Sequence, residues 1–414
     1  MIKTLLAAPF LAAPIIALSV AFAALTPAAA ETPDPNNWDA VLSEARGQTV
    51  YFHAWGGEPR INDYIAWAGR TVKDRYGVSI VHVKVTDTAS VVSKILAEKA
   101  AGRDDGGAVD LVWINGENFV ALKDAGMLLD RPWASELPNY RFVDEAGKPT
   151  VLTDFTVAVD GREAPWGMAK LVFFYDTAVL ADPPKSAAAL LDWAKADPGR
   201  FTYPQPPDFI GSTFLKQVLY ELAPDPTVLS RPADDETFNT ATAPFFAFLD
   251  DLTPHLWRQG RAYPQNYGSM RQLLADSEVD ITFAFNPADA SNAIANNELP
   301  DTVRSYVFDA GTMANSHFLA IPFNANAKAG AMVLADFMMS PEAQARKQDP
   351  NVWGDPTVLD VAALAENDRK RFAALDLGIA TLPPEKLGLA LLEPHTSWLK
   401  RLETEWARRY GVNQ

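Results

Sequence analysis

Short apolar runs alternate along the first part of the chain with stretches in which apolar residues recur every three or four positions. The runs at 49–55, 78–85 and 109–114 are rich in β-branched and aromatic residues and predict strands. Between them, 61–72 and 92–99 have the spacing of amphipathic helices. Strand starts about thirty residues apart match the length of a βαβ unit. This part of the chain therefore predicts a parallel sheet flanked by helices.

The same alternation returns in the middle of the chain. Apolar runs at 169–175, 279–285 and 303–308 predict further strands, and 214–219 and 243–256 have helical spacing. A buried run at 279–285 again ends in a polar turn before a helix-like segment, as the run at 109–114 does. We therefore expect a second α/β lobe.

The N-terminus has the pattern of a secretory signal peptide. Lys3 supplies a positive charge, 5–25 is apolar, and Ala28-Ala29-Ala30 suits a small-residue cleavage site. A membrane anchor is the alternative, but Pro9 and Pro14 and the alanine-rich ending favour cleavage. Residues 1–30 are therefore predicted to be removed near Ala30 and the mature chain to be periplasmic.

The charge and composition of the chain exclude several classes of binding partner. The 414-residue chain has 36 Lys plus Arg against 52 Asp plus Glu, a formal net charge of −16. Because nucleic acid and anionic membranes repel so acidic a protein, neither is an expected partner. Without cysteine there are no disulfides, cysteine nucleophiles or thiolate metal sites. The five histidines are scattered without metal-ligand spacing, so no metal and no cofactor is expected.

Polar or glycine-rich turns follow the three predicted strands of the first lobe. The carboxyl ends of parallel strands meet at one edge of a sheet, where ligands of open α/β folds bind. For Asn115 the alternative is a plain helix cap, and for Trp55 a place in the core. The ligand-binding candidates from these turns are Trp55, Gly56, Gly57, Asp87, Thr88, Asn115, Gly116, Glu117 and Asn118.

Five further candidates lie outside these turns. Trp166 precedes the run at 169–175 and is expected to form an aromatic wall of the cleft. Ser212 and Thr213 are natural N-caps of a helix, and capping alone would explain each of them. Asn286 follows the strand at 279–285, and Asn315 precedes the apolar run at 318–321.

Several motifs together resemble the extracytoplasmic solute-binding proteins of ABC transporters. Trp-Gly-Gly at 55–57 and Trp-Ile-Asn-Gly-Glu-Asn-Phe at 113–119 are similar to the YnjB-type branch. The resemblance covers essentially the whole mature chain. The other motifs are Asp-Ala-Gly-Met-Leu at 124–128, Pro-Pro at 183–184, Gly-Thr-Met-Ala-Asn at 311–315 and Ser-Pro-Glu-Ala-Gln at 340–344.

This resemblance implies an α/β, two-lobed periplasmic-binding-protein fold of type II. Each lobe would hold a mainly parallel sheet flanked by helices, and two crossover segments would join the lobes. The boundaries expected are 31–168 for the first lobe with 306–345 returning to it, 169–305 for the second lobe, and 346–414 for a C-terminal helical appendage that packs on the lobes.

The resemblance also implies a substrate-binding component of an ABC importer. It would be a monomer that closes on a small solute by hinge motion and passes it to permease subunits in the inner membrane. Aromatic faces and carboxylates suit a cationic or nitrogen-containing solute, thiamine-like or polyamine-like. A sugar, an anion held at helix N-termini, and an exported hydrolase using Asp87 and Glu117 on a sugar stay open as alternatives.

Overall fold

The first three predicted strands form one parallel edge of a mixed sheet. In the computed structural model, which describes residues 32–383 and 386–412, they are β1 (Thr49–Trp55), β2 (Ser79–Val85) and β3 (Leu111–Ile114). β1 lies between the other two and is parallel to both. The carboxyl ends of the three strands therefore meet at one sheet edge, as predicted. The predicted signal peptide lies outside the described residues.

Antiparallel and returning strands complete this sheet. β10 (Thr312–Ala320) pairs antiparallel with β3 on one side and with β6 (Glu163–Lys170) on the other. β11 (Ala390–Leu391) is parallel to the start of β10. Before β6, the short strands β4 (Thr153–Asp154) and β5 (Val157–Ala158) form a hairpin. We call this six-stranded sheet with its helices the first lobe.

The second lobe is built on a separate sheet of three described strands. β7 (Val172–Asp176) lies between β8 (Ile281–Ala284) and β9 (Val303–Tyr306) and is antiparallel to both. The α/β class and the two lobes are confirmed, but the mainly parallel sheet expected here is wrong. The chain enters this lobe along β7 as a direct continuation of β6 and leaves it along β9, so the two strands have opposite directions.

Helices cover the faces of both sheets. Buried side chains of α2 and α10 pack on the first sheet, and those of α5, α6 and α7 pack on the second. The helices are α1 (Trp38–Ala45), α2 (Pro59–Tyr76), α3 (Ala89–Ala100), α4 (Glu117–Asp124), α5 (Ala187–Ala196), α6 (Phe209–Leu222), α7 (Asp235–Leu252), α8 (Tyr267–Ala275), α9 (Asp289–Ala295), α10 (Lys328–Met338), α11 (Pro341–Gln348), α12 (Glu366–Ala373) and α13 (Thr396–Tyr410).

Two chain crossings join the lobes and are bonded to each other. Only Leu171 separates β6 from β7, and its N–H donates to the carbonyl of Met313 at 2.9 Å. The hydroxyl of Thr312 donates to the carbonyl of Leu171. From α6, the Gln217 amide donates to the carbonyl of Gly311 at 3.0 Å and accepts from the N–H of Met313 at 2.8 Å. Gln217 therefore attaches α6 to the returning crossing.

The C-terminal segment touches both lobes. Trp398, Leu402 and Trp406 of α13 are fully buried in the core of the second lobe, whereas β11 extends the sheet of the first lobe. Contacts join the chain from Pro33 onward into one unit. The residue boundaries proposed for the lobes and the appendage stay predictions. Among the described residues, no helix has both the length and the apolar character needed to cross a membrane.

Candidate functional site

Lys216 marks a place where the two lobes meet. Helix α6 begins after Asp208, whose carboxylate accepts hydrogen bonds from the N–H groups of Ile210 and Gly211. Two turns further on, the Lys216 ammonium lies 5.4 Å from the ring centroid of Phe155 and 5.5 Å from that of Phe209. Phe155 comes from the first lobe and Phe209 from the second, so both lobes enclose this cation.

A buried carboxylate from the C-terminal segment pairs with Lys216. The two side chains are 2% and 1% exposed, and one oxygen of Glu393 accepts from the ammonium. The other oxygen accepts from the amide of Asn315 at 3.4 Å. Oδ1 of Asn315 has no hydrogen-bond partner among the described residues, although the residue is only 9% exposed. An acceptor is therefore left unpaired beside the ion pair.

A second buried carboxylate lies under the turn that follows β3. Gly116 has φ +61°, and its N–H donates to Oδ2 of Asp154 at 2.7 Å. A Cβ at Gly116 would meet the ring of Phe155 at 3.0 Å, so only glycine suits both the backbone conformation and the contact. Oδ1 of Asp154 has no partner in the described part of the chain. Burial raises the pKa of Asp154 well above its ordinary range, and the nearby carboxylates of Glu393 and Glu117 raise it further.

Two more carboxylates lie close to this group. Ser212 of α6 donates its hydroxyl proton to Glu403 of α13 at 2.6 Å. Burial raises the pKa of Glu403; the bond from Ser212 and the charge of Lys216 oppose that rise, and the charge of Glu117 adds to it. Glu117, in the first turn of α4, is exposed, and its side chain makes no hydrogen bond or ion pair to any described residue. We call Glu117, Asp154, Lys216, Asn315, Glu393 and Glu403 the acidic cleft.

Most of the unused hydrogen-bonding capacity of the acidic cleft lies on oxygen atoms, beside the N–H groups of Lys216 that make no hydrogen bond to a described residue. The oxygens are those of the Glu117 carboxylate and the unpartnered oxygens of Asp154 and Asn315. Four carboxyl groups are present against the single ammonium of Lys216. A donor-rich, positively charged molecule would satisfy these groups, whereas an anion would add like charge.

The helix N-termini that face the ends of the strands are already occupied by the protein's own carboxylates. Glu58 accepts from the first turn of α2 at 3.2 Å and Asp87 from α3 at 2.9 Å. Asp208 does the same for α6, and Asp154 bonds the N–H of Gly116, the N-cap of α4. At each of these N-termini, at least one N–H group that would attract an anion therefore already bonds a carboxyl group of the protein.

Three predicted site residues are corrected by the structure. Trp166 does not face the cleft: it is fully buried in the core of the first lobe, with its ring 5.0 Å from that of Trp113 and 5.3 Å from that of Trp353. The reason is that both faces of β6 are covered, so Glu163 to Ala169 are all buried. Ser212 and Thr213 are not N-caps, because the N-cap of α6 is Asp208. Thr213 is fully buried and bonds the carbonyl of Phe209.

The structure brings four other predicted residues to the acidic cleft, and two of them reach it by hydrogen bonds to its carboxylates. Gly116 and Glu117 lie in or against the acidic cleft, and Ser212 and Asn315 bond the C-terminal carboxylates Glu403 and Glu393. Asn115 donates to the carbonyl of Ser316 at 2.5 Å and is not the cap of α4. Asn118 is half-buried.

The remaining candidates lie further along the same sheet edge or at the junction of the lobes. Trp55 is 41% exposed, and its ring covers Gly57. Gly56 bonds Val85 at the end of β2. Asp87 caps α3, and Thr88 donates to the carbonyl of Trp113 at 3.3 Å. Asn286 caps the turn before α9 and donates to the carbonyl of Trp353 at 3.5 Å.

Sequence reasoning missed the residues that give the cleft its charge. Asp154 and Phe155 lie in a stretch that has no periodic pattern, and Glu393 and Glu403 lie in the segment interpreted as packing. One signal was present: Lys216 and Gln217 interrupt the otherwise apolar run from Phe214 to Leu219. Among the described residues, no group of three or more His, Cys, Asp or Glu is arranged to hold a metal ion.

The family model for bacterial extracellular solute-binding proteins matches residues 67–373. The chain belongs to this family. It is also 45% identical over 378 residues to protein YnjB of Escherichia coli strain K12, which covers 91% of this chain and 95% of that protein. Both matches confirm the resemblance noted in the motifs. The family is defined by solute binding rather than by catalysis, and its description places its members outside the cytoplasm.

Solved structures confirm the two-lobed type II periplasmic-binding-protein fold of this family member. The spermidine/putrescine ABC transporter substrate-binding protein PotD of Streptococcus pneumoniae has a TM-score of 0.59 and 14% identity, covering 88% of this chain and 98% of its own. An ABC transporter substrate-binding protein of Bradyrhizobium japonicum has a TM-score of 0.59 and 17% identity, covering 87% of this chain and 99% of its own. The periplasmic binding protein AfuA of Actinobacillus pleuropneumoniae, with fructose-6-phosphate bound, has a TM-score of 0.58 and 14% identity. The match covers 88% of this chain and 99% of that protein.

Proposed function

We propose that this solute-binding protein captures a cationic, nitrogen-containing organic solute between its two lobes and delivers it to the permease of an ABC importer. The observation that carries the proposal is the excess of four carboxyl groups over one ammonium in the acidic cleft, with the exposed carboxylate of Glu117 unpaired among the described residues. Ammonium, amidinium and protonated ring nitrogens are donors that carry the required charge. The solute is thiamine-like or polyamine-like.

Aromatic rings support the same class of solute. The rings of Phe155 and Phe209 already hold one cation, the ammonium of Lys216, at cation–π distance. Phe209 is 49% exposed and packs edge-on against Phe285, so part of its surface is free to contact a ligand. Trp55, exposed on the same sheet edge as Glu117, is proposed as a further wall in place of Trp166.

The alternatives are less well supported by the site. An anion would compete with the protein's own carboxyl groups at these helix N-termini. The proposed hydrolase needs a free pair formed by Asp87 and Glu117, but Asp87 caps α3. The structural relatives include both a spermidine/putrescine-binding protein and one with a sugar phosphate bound, so the fold does not choose between cation and anion. The chemistry of the cleft favours the cation.

Export and assembly follow from this role. The protein would be secreted with cleavage near Ala30, act in the periplasm as a monomer, and meet permease subunits at the inner membrane. The expected N-terminus of the mature protein is near Glu31, which sequencing of the periplasmic form would test.

The test of ligand class is calorimetric titration of Glu117→Gln with spermidine, putrescine and thiamine. We expect affinity for the solute that binds the wild type to fall by roughly one to two powers of ten, because a charged acceptor is lost. Asp124→Asn, an exposed acid at the other end of α4, is the matched control and should bind as the wild type does. If the wild type binds none of these cations, or Glu117→Gln binds them equally well, the proposed ligand class is wrong.

A further inference from the structure

We infer that the C-terminal segment 390–410 is a third wall of the ligand site, and that its Glu403 and the Glu117 of the first lobe together bind a solute with two positively charged nitrogen centres. This inference rests on the proposed function for the charge of the solute. It adds the C-terminal segment to the two lobes as a part of the site, and it requires two positive charges on the solute.

The segment carries its carboxylates to the cleft through specific contacts. α13 is anchored by the burial of Trp398, Leu402 and Trp406 in the second lobe, and Glu403 lies next to the second of these anchors. The Ser212 hydroxyl holds Glu403 at 2.6 Å. Glu393 enters the same space and is held by Lys216 and Asn315. Both carboxylates therefore have fixed positions on the inner side of the segment.

The unpartnered atoms beside these carboxylates point to a missing ligand. Asp154 is 1% exposed and leaves Oδ1 without a partner, and Asn315 leaves Oδ1 unpaired beside Glu393. Buried polar atoms are normally hydrogen-bonded, and an unpaired one costs free energy. A bound solute that forms hydrogen bonds with both atoms would remove this cost.

The charges indicate a dication. The ammonium of Lys216 already neutralises Glu393, and burial raises the pKa of Asp154 so that it keeps its proton without a ligand. Glu117 and Glu403 are then the carboxyl groups without a cationic partner in hydrogen-bond contact within the described residues. One comes from the first lobe and the other from the C-terminal segment. A monocation would neutralise one of them and leave the other, whereas a solute with two cationic centres matches both.

The test compares 1,4-diaminobutane with butylamine, which has the same carbon chain and one charge fewer, in calorimetric titrations. We expect the wild type to prefer the diamine by at least about tenfold, and Glu403→Gln to lose about tenfold in diamine affinity but little in butylamine affinity. Glu405→Gln is the control on the same helix, because Glu405 pairs with Arg408 and Arg409 instead. Equal binding of both amines, or no change with Glu403→Gln, overturns the inference.

A measurement without ligand separates this inference from the proposed function. The chain has no cysteine, so Glu117→Cys with Glu403→Cys creates a unique thiol pair for a short bifunctional maleimide. If the C-terminal segment is a wall of the site, this pair should form an intramolecular bridge, which the mass of the intact protein would show. The pair Glu117→Cys with Glu405→Cys should form none. A missing bridge overturns the wall even if cations bind. A bridge without binding of either amine leaves the wall standing and overturns the dication, and the proposed ligand class falls as well only if spermidine and thiamine also fail to bind.

Discussion

Two buried lysines near the junction of the lobes are paired in different ways. Lys347 donates to the carboxylate of Asp355 and to the carbonyls of Asp355 and Pro356, at 3.1 and 2.9 Å, so all three of its N–H groups are used. Asp355 is also bonded by His317 at 3.0 Å. Lys216 has one carboxylate partner, two aromatic rings, and bare acceptors next to it. Full saturation is typical of a structural pair, and incomplete saturation indicates a place where something else binds.

The largest expected effect belongs to the saturated pair. Lys347→Met leaves Asp355 buried without its main cation, so we expect the free energy of unfolding to fall by about 3–5 kcal/mol. Urea denaturation followed by circular dichroism would measure it, and added diamine should restore no more stability than it gives the wild type. Lys195→Met, which breaks an exposed pair with Asp251, is the control and should cost about 0–1 kcal/mol.

The unsaturated pair should respond differently. We expect Lys216→Met to lose about 3 kcal/mol of unfolding free energy without ligand, because Glu393 is left buried with only the Asn315 amide as a partner. A diamine can supply a cation to Glu393, so it should raise the melting temperature of this variant more than that of the wild type. An equal rise in both proteins would show that Lys216 does not occupy a cation position of the ligand site.

The aromatic rings around Trp166, beside the saturated pair, should contribute less to stability than that pair does. Trp166→Phe keeps most of the buried ring, and the indole N–H of Trp166 has no partner among the described residues. We expect a loss of about 1–2 kcal/mol in stability from the cavity and no change in diamine affinity. Trp55→Ala should instead lower the diamine affinity and leave the stability nearly unchanged. A large affinity loss in Trp166→Phe would mean that the ring faces the ligand after all.

The smallest effect is the pH dependence of binding. The pKa values of Asp154 and Glu403 are raised by burial, so both groups keep their protons above the usual carboxyl range. A cation favours the ionised forms, so binding should release protons, and affinity should fall as the pH falls through the raised values. Calorimetry in two buffers of different ionisation enthalpy gives the proton count, which should be smaller in Glu403→Gln. Proton uptake, or no exchange, would contradict the sign.

The sequence predicted what depends on short-range pattern. The periodicity of β1 to β3 and of the helices between them is local, so the parallel sheet edge and the turns at 55–57 and 115–118 could be placed. The cleft charges are not local: Gly116 meets Asp154 across 38 positions, Lys216 meets Glu393 across 177, and Ser212 meets Glu403 across 191. Ser212 and Asn315 were chosen as ligand contacts, yet each bonds a carboxylate that no pattern marks.

Trp166 and the second sheet show the other limit. A stretch such as 164–169, which holds Trp166, suits a strand with either one or two covered faces, and only the packing decides which side chains reach the surface. The direction of β7 was likewise set by the path of the chain between the sheets rather than by its composition.

The bonds between the two crossings limit how the lobes can move. Separate linkers would allow the lobes to slide, tilt and rotate, but Leu171 is bonded to Thr312 and Met313, so the two connections have to turn together. The C-terminal segment adds a further connection, because β11 lies on the first sheet and α13 is buried in the second lobe. Gln217 attaches α6 to the bonded crossings, and the preceding residue carries the ammonium in the cleft. A shift of the crossings would therefore reach Lys216 through a single neighbouring residue.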